Sequence, residues 1–368
     1  MFYREAGQFK STYAEDQGLF PIRQDRIGMA VILAIAFLVL PVASSAPALR
    51  GVIDFNYWYN GVIIPFLIFS LAALGLNILT GYAGLLSLGT GAFMAVGAFA
   101  AYNFELRVPG IPMLASFILA GIVTAGVGLV FGLPSLRIKG FYLAVATLAA
   151  QFFVVWALTK FAWFSNYSTS GVIAAQKLVA FGYAFDSPVK RYLLVLAIVA
   201  VMALAAKNMV RSSTGRAWMA VRDMDVAAEV IGIPMMRTKL LAFAVSSFYC
   251  GVAGALYAFA YLGNVEPQAF DLDLSFRILF MVIIGGVGSI LGSFLGAAFI
   301  VVLPILLDIW ATWFERTAGI AVPAGLVSNL TLIIFGALIV FFLAVEPLGL
   351  ARLWQIAKDK LRLWPFPH

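Results

Sequence analysis

Long apolar blocks separated by short polar intervals dominate the chain from residue 28 to residue 345. Blocks of crossing length lie at 60–79, 82–102, 112–133, 141–159, 192–209, 240–262 and 326–345, and a shorter run, Gly28 to Pro41, precedes them. A helix needs about 20 apolar residues to cross the hydrocarbon core of a bilayer. Only helices and closed barrels satisfy their backbone there, and a barrel would show short alternating segments instead. The pattern predicts an all-α fold, a polytopic transmembrane helical bundle. The block 275–308 is too long for one crossing and short for two, and Gly285, Gly286, Gly288 and Gly292 break it near the middle. Two short crossings hinged at GGVGS give about ten crossings in all, with broken or short helices among them. A re-entrant segment there, with eight full spans, is the alternative.

Charge orients the bundle. If residues 1–27 are cytoplasmic and the segments alternate, the stretches 1–27, 134–140, 207–239 and 346–368 share one side and carry 16 of the 24 Lys and Arg residues. Positive charge is retained on the cytoplasmic face, so both the N and the C terminus are expected to be cytoplasmic. The expected organisation is a cytoplasmic N-terminal tail (1–27), a transmembrane domain (28–345) interrupted by a cytoplasmic loop (207–239), and a cytoplasmic C-terminal tail (346–368). The first run is followed by VASSA, which resembles a signal-peptidase site, but the long charged segment ahead of it favours a retained first span. Trp58, Trp156, Trp310 and Trp313 fall near predicted external ends and Trp218 and Trp354 near the cytoplasmic face, as an aromatic belt requires.

Composition removes most chemistry. The chain is 63% hydrophobic and 11% charged, far from a soluble domain. Its net charge of +7 follows from the cytoplasmic Lys and Arg, and no nucleic-acid partner is implied. The single cysteine, Cys250, sits inside an apolar block and the single histidine, His368, is the last residue. Neither a disulfide, a metal site nor histidine catalysis can be built from them. There is no Walker A pattern. No cofactor is expected, and no catalytic residue.

Polar residues inside the spans are few. Residues 75–97 read GLNILTGYAGLLSLGTGAFMAVG, with Asn77, Thr80, Ser87 and Thr90 interleaved among glycines. Helix breaks of this kind mark substrate sites in transporters, where half-helix N-termini face anionic groups; small residues also serve close helix packing. Thr147 and Gln151 share a helix face and either line a polar track or bond a neighbouring helix. Gly288, Gly292 and Gly296 form overlapping GxxxG repeats, a smooth face for close approach. No carboxylate lies in mid-span, unlike the usual proton-coupled carrier, so energy is expected to enter from outside the chain. The entry point is the loop 207–239. Residues 213–221 read as a surface helix with Trp218 in the interface. Asp225 is placed to cap a short helix through AAEVIG, which stops at Gly232 before Pro234.

The run Asp225-Val226-Ala227-Ala228-Glu229-Val230-Ile231-Gly232-Ile233 resembles the EAA-type coupling loop of bacterial ABC importer permeases. With KLLAFAVSSFYCGVAGALYAF (239–259), GYAGLLSLGTGAFMAVGAF (81–99), SLRIKGFYLAVATLA (135–149) and ILFMVIIGGVGSILGSFLGAAF (278–299), the chain resembles the LivM-type permease subunits of the branched-chain, or hydrophobic, amino-acid importer family. The resemblance covers roughly residues 60–345. It implies a multi-pass subunit of the bacterial inner membrane that translocates such amino acids inward by alternating access, in membrane lipid. It implies a second, H-type permease, two cytoplasmic ABC ATPase subunits, and a periplasmic binding protein that delivers the small-molecule substrate. Ala227, Ala228 and Gly232 would then form the coupling helix, with Asp225 or Glu229 supplying the acidic contact, because Val226 stands at the first position of the EAA pattern. Permeases for urea, short-chain amides and aromatic acids belong to the same superfamily. A relative's glycine-rich GGxNG-like run is replaced here by STSGV (168–172). A stand-alone secondary carrier is the other reading of the bundle.

Overall fold

The computed structural model describes residues 23–45, 54–135, 142–168, 172–176, 178–180, 183–318, 324–346 and 348–363. Most of the N-terminal tail, the basic pair Arg137 and Lys139, Lys177 and the centre of STSGV lie outside the described residues. The fold is helical. In chain order the helices are α1 (23–45), α2 (Phe55–Tyr82), α3 (Thr90–Arg107), α4 (Met113–Ser135), α5 (Tyr142–Lys160), α6 (Pro188–Arg211), α7 (Ser213–Asp223), α8 (Asp225–Val230), α9 (Met235–Leu262), α10 (Leu272–Gly285), α11 (Ile290–Ala318), α12 (Ala324–Val345) and α13 (Gly349–Leu363). Among the described residues, two tiny antiparallel ladders decorate the connections, Ile173–Ala174 on Asn264–Val265 and Val179–Ala180 on Tyr183–Ala184.

Among the described residues, seven helices are long and apolar enough to cross a membrane: α1, α2, α4, α5, α6, α9 and α11. A shorter apolar segment, Asn329–Phe342, lies within α12. Two of the blocks read from the sequence differ in form. The block 82–102 begins its helix only at Thr90, because residues 83–89 are non-helical. The block 275–308 does break at GGVGS, where Gly286 (φ 123°) and Gly288 (φ 78°) take conformations that a side chain resists. Its arms are unequal, however. α10 has 14 residues and α11 has 29. At 1.5 Å per residue α10 is about 21 Å long, short of the roughly 30 Å core, whereas α11 exceeds it.

α2 is the hub. It is almost wholly enclosed, against α9, α11, α6 and α10, while α1 lies on the outside. α1 is held by two tyrosine hydroxyls: Tyr192 donates to the Ala36 carbonyl (2.8 Å) in the π-helical turn Ile35–Val39, and Tyr59 donates to Leu40 (2.9 Å). Glycine sets the spacing elsewhere. A side chain at Gly97 would strike the backbone of Gly251, and one at Gly254 the backbone of Met94, so α3 and α9 touch main chain to main chain. The GxxxG face of α11 performs the role expected of it within its own hairpin: a side chain at Gly292 would come within 2.7 Å of the Gly285 carbonyl, and one at Gly296 would meet Met281.

Candidate functional site

The break between α2 and α3 collects the polar residues singled out above. Asn77, Ser87, Thr90, Thr147 and Gln151 are all buried, and Thr80 is partly so. Helix α3 starts without a side-chain cap from its own preceding residue, Gly89. Its first amides are satisfied from other helices instead. Gly91 N–H donates to Ser275 Oγ (2.8 Å) and Ala92 N–H to Gln151 Oε1 (2.6 Å). Ser275 in turn donates to Gln151 Oε1 (3.0 Å), and Gln151 Nε2 donates to the Phe270 carbonyl (2.7 Å). Thr147 Oγ1 accepts from Leu88 N–H at 2.9 Å and Ser87 Oγ from Gly89 N–H at 3.4 Å. Thr80 donates to the Leu85 carbonyl (3.2 Å). The dipole at the start of a helix favours negative charge; here neutral oxygens fill that place. Of the two readings of Thr147 and Gln151, these bonds match the one in which they hold a neighbouring helix.

Asn77 works on the second break. Its Oδ1 accepts from Gly288 N–H (2.8 Å), and its Nδ2 donates to Ser289 O (2.8 Å) and Ser293 Oγ (2.9 Å). One amide thereby fixes the turn between α10 and α11 to the end of α2. The approach is close: a side chain at Gly81 would lie 2.7 Å from Gly288 Cα. Arg222 reaches the same spot, donating from Nη1 to the Gly81 carbonyl (2.8 Å) while pairing with Asp223. The loop 207–239 is therefore bonded directly to the meeting point of the two breaks.

Within that loop, α8 ends in a paired 6→1 and 5→2 arrangement. Ile233 N–H donates to Ala228 O (3.0 Å) and Gly232 N–H to Glu229 O (3.0 Å), with Gly232 at φ 88°. This is the stop the Gly232–Pro234 pattern predicts. Two details differ from the expectation. Asp225 is the first residue of α8 and not its cap; Met224 occupies the cap without a side-chain bond, and Asp225 Oδ2 pairs with Lys239 Nζ at 2.9 Å. Trp218 is fully buried and is not at a lipid interface, because its indole N–H donates to the Thr238 carbonyl (3.1 Å) and pins α7 onto the start of α9. The other belt candidates, Trp58, Trp156, Trp310, Trp313 and Trp354, are exposed.

The faces of α8 sort cleanly. Ala228 is 1% exposed and turned into the fold, whereas Ala227, Glu229 and Gly232 are exposed. Around them stand Met224 (64%), Val226 (73%), Val230 (82%) and Ile231 (72%), an apolar patch in an otherwise charged loop. The sequence reading missed these four, although Val226 and Val230 sit four apart in a polar setting, which is the signal. It also missed Arg222, Ser275 and Ser293, whose partners lie far along the chain. No group of three or more metal-ligating side chains occurs among the described residues.

A profile of the family described as "Branched-chain amino acid transport system / permease component" matches residues 59–343. The chain is 31% identical over 296 residues to the high-affinity branched-chain amino acid transport system permease protein LivM of Salmonella typhimurium, covering 74% of this chain and 67% of that one. The Escherichia coli LivM matches at the same identity and coverage. A probable LivM of Methanocaldococcus jannaschii is 26% identical over 326 residues, 78% of this chain and 92% of that one. No solved structure gives a significant match. The long apolar helices, the two glycine breaks and the loop 207–239 thus sit on a chain that belongs to the branched-chain amino acid ABC permease family, as a multi-pass, non-catalytic transport subunit.

Proposed function

We propose that this chain translocates branched-chain or other hydrophobic amino acids inward by alternating access, driven by two partner ATPase subunits that grip the loop 207–239. The observation that carries the reading is the patch of Met224, Val226, Val230 and Ile231. Exposed apolar clusters rimmed by polar residues mark interaction sites, and this one has a rigid mount: α7 pinned by Trp218 and α8 stopped at Gly232. In this reading the acidic contacts come from Asp225 and Glu229, Ala227 lies within the docked face, and Ala228 packs beneath it. Both termini and the loop face the cytoplasm of a bacterium, α3 and α10 serve as the shorter members of a ten-crossing bundle, and a second, H-type permease and a periplasmic binding protein complete the importer.

The hydrogen bonds support a path for the coupling. Movement of α7 pulls on Gly81 through Arg222, and Gly81 is locked against the turn that Asn77 holds. Rearranging that meeting point shifts α2, α10 and α11 together. Asn77, Thr80, Ser87, Thr147 and Gln151 then shape the translocation path by fixing the broken backbone that borders it, with Thr90 buried beside them.

Reconstitution tests the reading. The permease pair with its ATPases should accumulate labelled leucine only with ATP, and Val230→Asp with Ile231→Asp should abolish both uptake and ATPase association. Accumulation by the purified chain alone from an ion gradient would overturn it in favour of a secondary carrier. ATP-driven uptake of a substrate other than an amino acid would keep the coupling and remove the substrate class.

A further inference from the structure

Helix α13 enters the fold only with its first turn. Gly349 and Ala351 are buried, and the residues from Arg352 through Ala357 are exposed, including Leu353, Trp354 and Ile356. The sequence of the helix, GLARLWQIAKDKLRL, is amphipathic. At 100° per residue, Leu350, Leu353, Trp354 and Ala357 fall on one arc, with Lys358 at one margin, Lys360 and the exposed Ile356 at the other, and Gln355 opposite. Four basic residues stand against one acidic residue.

Position decides what such a face meets. α13 begins at Gly349, just past the end of the apolar helix α12 at Val345, so it starts at the membrane surface. A helix with an apolar arc, an aromatic residue and lysines along the margins lies in the plane of that surface, the lysine stems running along the apolar side with the ammonium groups in the headgroups. Basic clusters there attract anionic lipid. The attachment is firm at the other end. A side chain at Gly349 (φ 65°) would meet the Ile284 carbonyl at 2.6 Å and Gly286 N at 2.7 Å, and Arg352 pairs with Glu346 at 3.3 Å. α13 is thus fastened to the very turn that Asn77 grips.

We propose that α13 is an interfacial helix that binds the headgroups of anionic lipids in the leaflet where α12 ends, and through Gly349 ties that leaflet to the Gly286 turn. The inference requires only that the chain spans a membrane and is independent of substrate and of ATPase docking.

Amide hydrogen exchange on the full-length chain tests it, in nanodiscs of phosphatidylcholine with and without phosphatidylglycerol. The expected result is slower exchange of the α13 amides from Leu353 onward in the anionic discs, reversed by high salt. A basic residue near an anionic surface is worth roughly fivefold in partitioning, so Lys358→Gln with Lys360→Gln should weaken the association about 25-fold. The difference between the two kinds of disc should shrink accordingly, with exchange in α2 and α9 unchanged as the check on folding. Equal exchange in both discs would overturn the proposal. So would protection that appears only when ATPase subunits are added, whatever the lipid, which would give the face to a protein partner.

Discussion

Asn77→Ala removes the amide that joins α2 to the turn between α10 and α11. The Gly288 N–H then loses its partner at 2.8 Å, and a backbone donor left unpaired away from water costs about 1–3 kcal/mol. Ser289 O loses the Nδ2 bond but still accepts from Ser293 N–H, so only the net value of one bond is lost there, about 0.5–1.5 kcal/mol. The bond to Ser293 Oγ is lost as well, at a similar net value, so the sum is about 2–6 kcal/mol. Asn77→Asp is the sharper variant. It keeps an acceptor for Gly288 but turns a second carboxylate oxygen toward the Ser289 and Gly286 carbonyls, so it should be less stable than Asn77→Ala. The assay is thermal unfolding of the purified chain in detergent, paired with leucine uptake by the reconstituted complex. Both variants should unfold at lower temperature, in the order Asp before Ala before wild type, with uptake lost through Vmax. If Asn77→Ala unfolds at the wild-type temperature and raises only the KM for substrate, Asn77 contacts cargo and the clamp reasoning is refuted.

Three further outcomes follow from the same contacts. Arg222→Ala should leave ATPase association intact but lower the amount of amino acid moved per ATP, and because Arg222 is about one-third exposed its loss should cost stability only near the lower end of the about 1.5–3 kcal/mol of a hydrogen bond from a charged group; unchanged stoichiometry would remove Arg222 from the path. Gly254→Val should block accumulation of folded protein, since its side chain enters the backbone of α3 at Met94 and overpacking costs about 1–3 kcal/mol even where neighbours can yield; normal yield and melting would contradict the close approach. Gly232→Val should cost roughly 1–3 kcal/mol from backbone strain alone, as nothing lies within 4 Å of the added side chain, and should weaken ATPase association in a pull-down without lowering the unfolding temperature of the spans.

Much of the framework was legible in the chain because membrane helices announce themselves by length and hydropathy. The GGVGS hinge and the smooth face of Gly292 and Gly296 were readable because closely spaced glycines in an apolar block mark a break or a close approach, and the stop at Gly232 because a glycine just ahead of Pro234 ends a helix. The glycines of 75–97 pointed to a break, but not to where α3 starts. LLSL is as apolar as the helices around it, and only the bonds from Thr147, Gln151 and Ser275 reveal that residues 83–89 are unwound. Trp218 misled for a related reason: a tryptophan in a polar loop reads as an interface anchor until its partner at Thr238 is seen. Ala228 carried the motif, yet the motif does not say which side faces out. A six-residue helix can present either face, and only its packing against α7 and α9 shows that Ala228 lies inward and Val226, Val230 and Ile231 outward.

Cysteine cross-linking across the docking face tests the central claim most directly. The chain's own Cys250 is buried and leaves the surface clear. In membranes containing the ATPase subunits, Val230→Cys and Ile231→Cys should cross-link to an ATPase and Ala228→Cys should not, with yields that change between the ATP-bound and nucleotide-free states. A complex that hydrolyses ATP and imports substrate while neither exposed position ever cross-links would contradict the account.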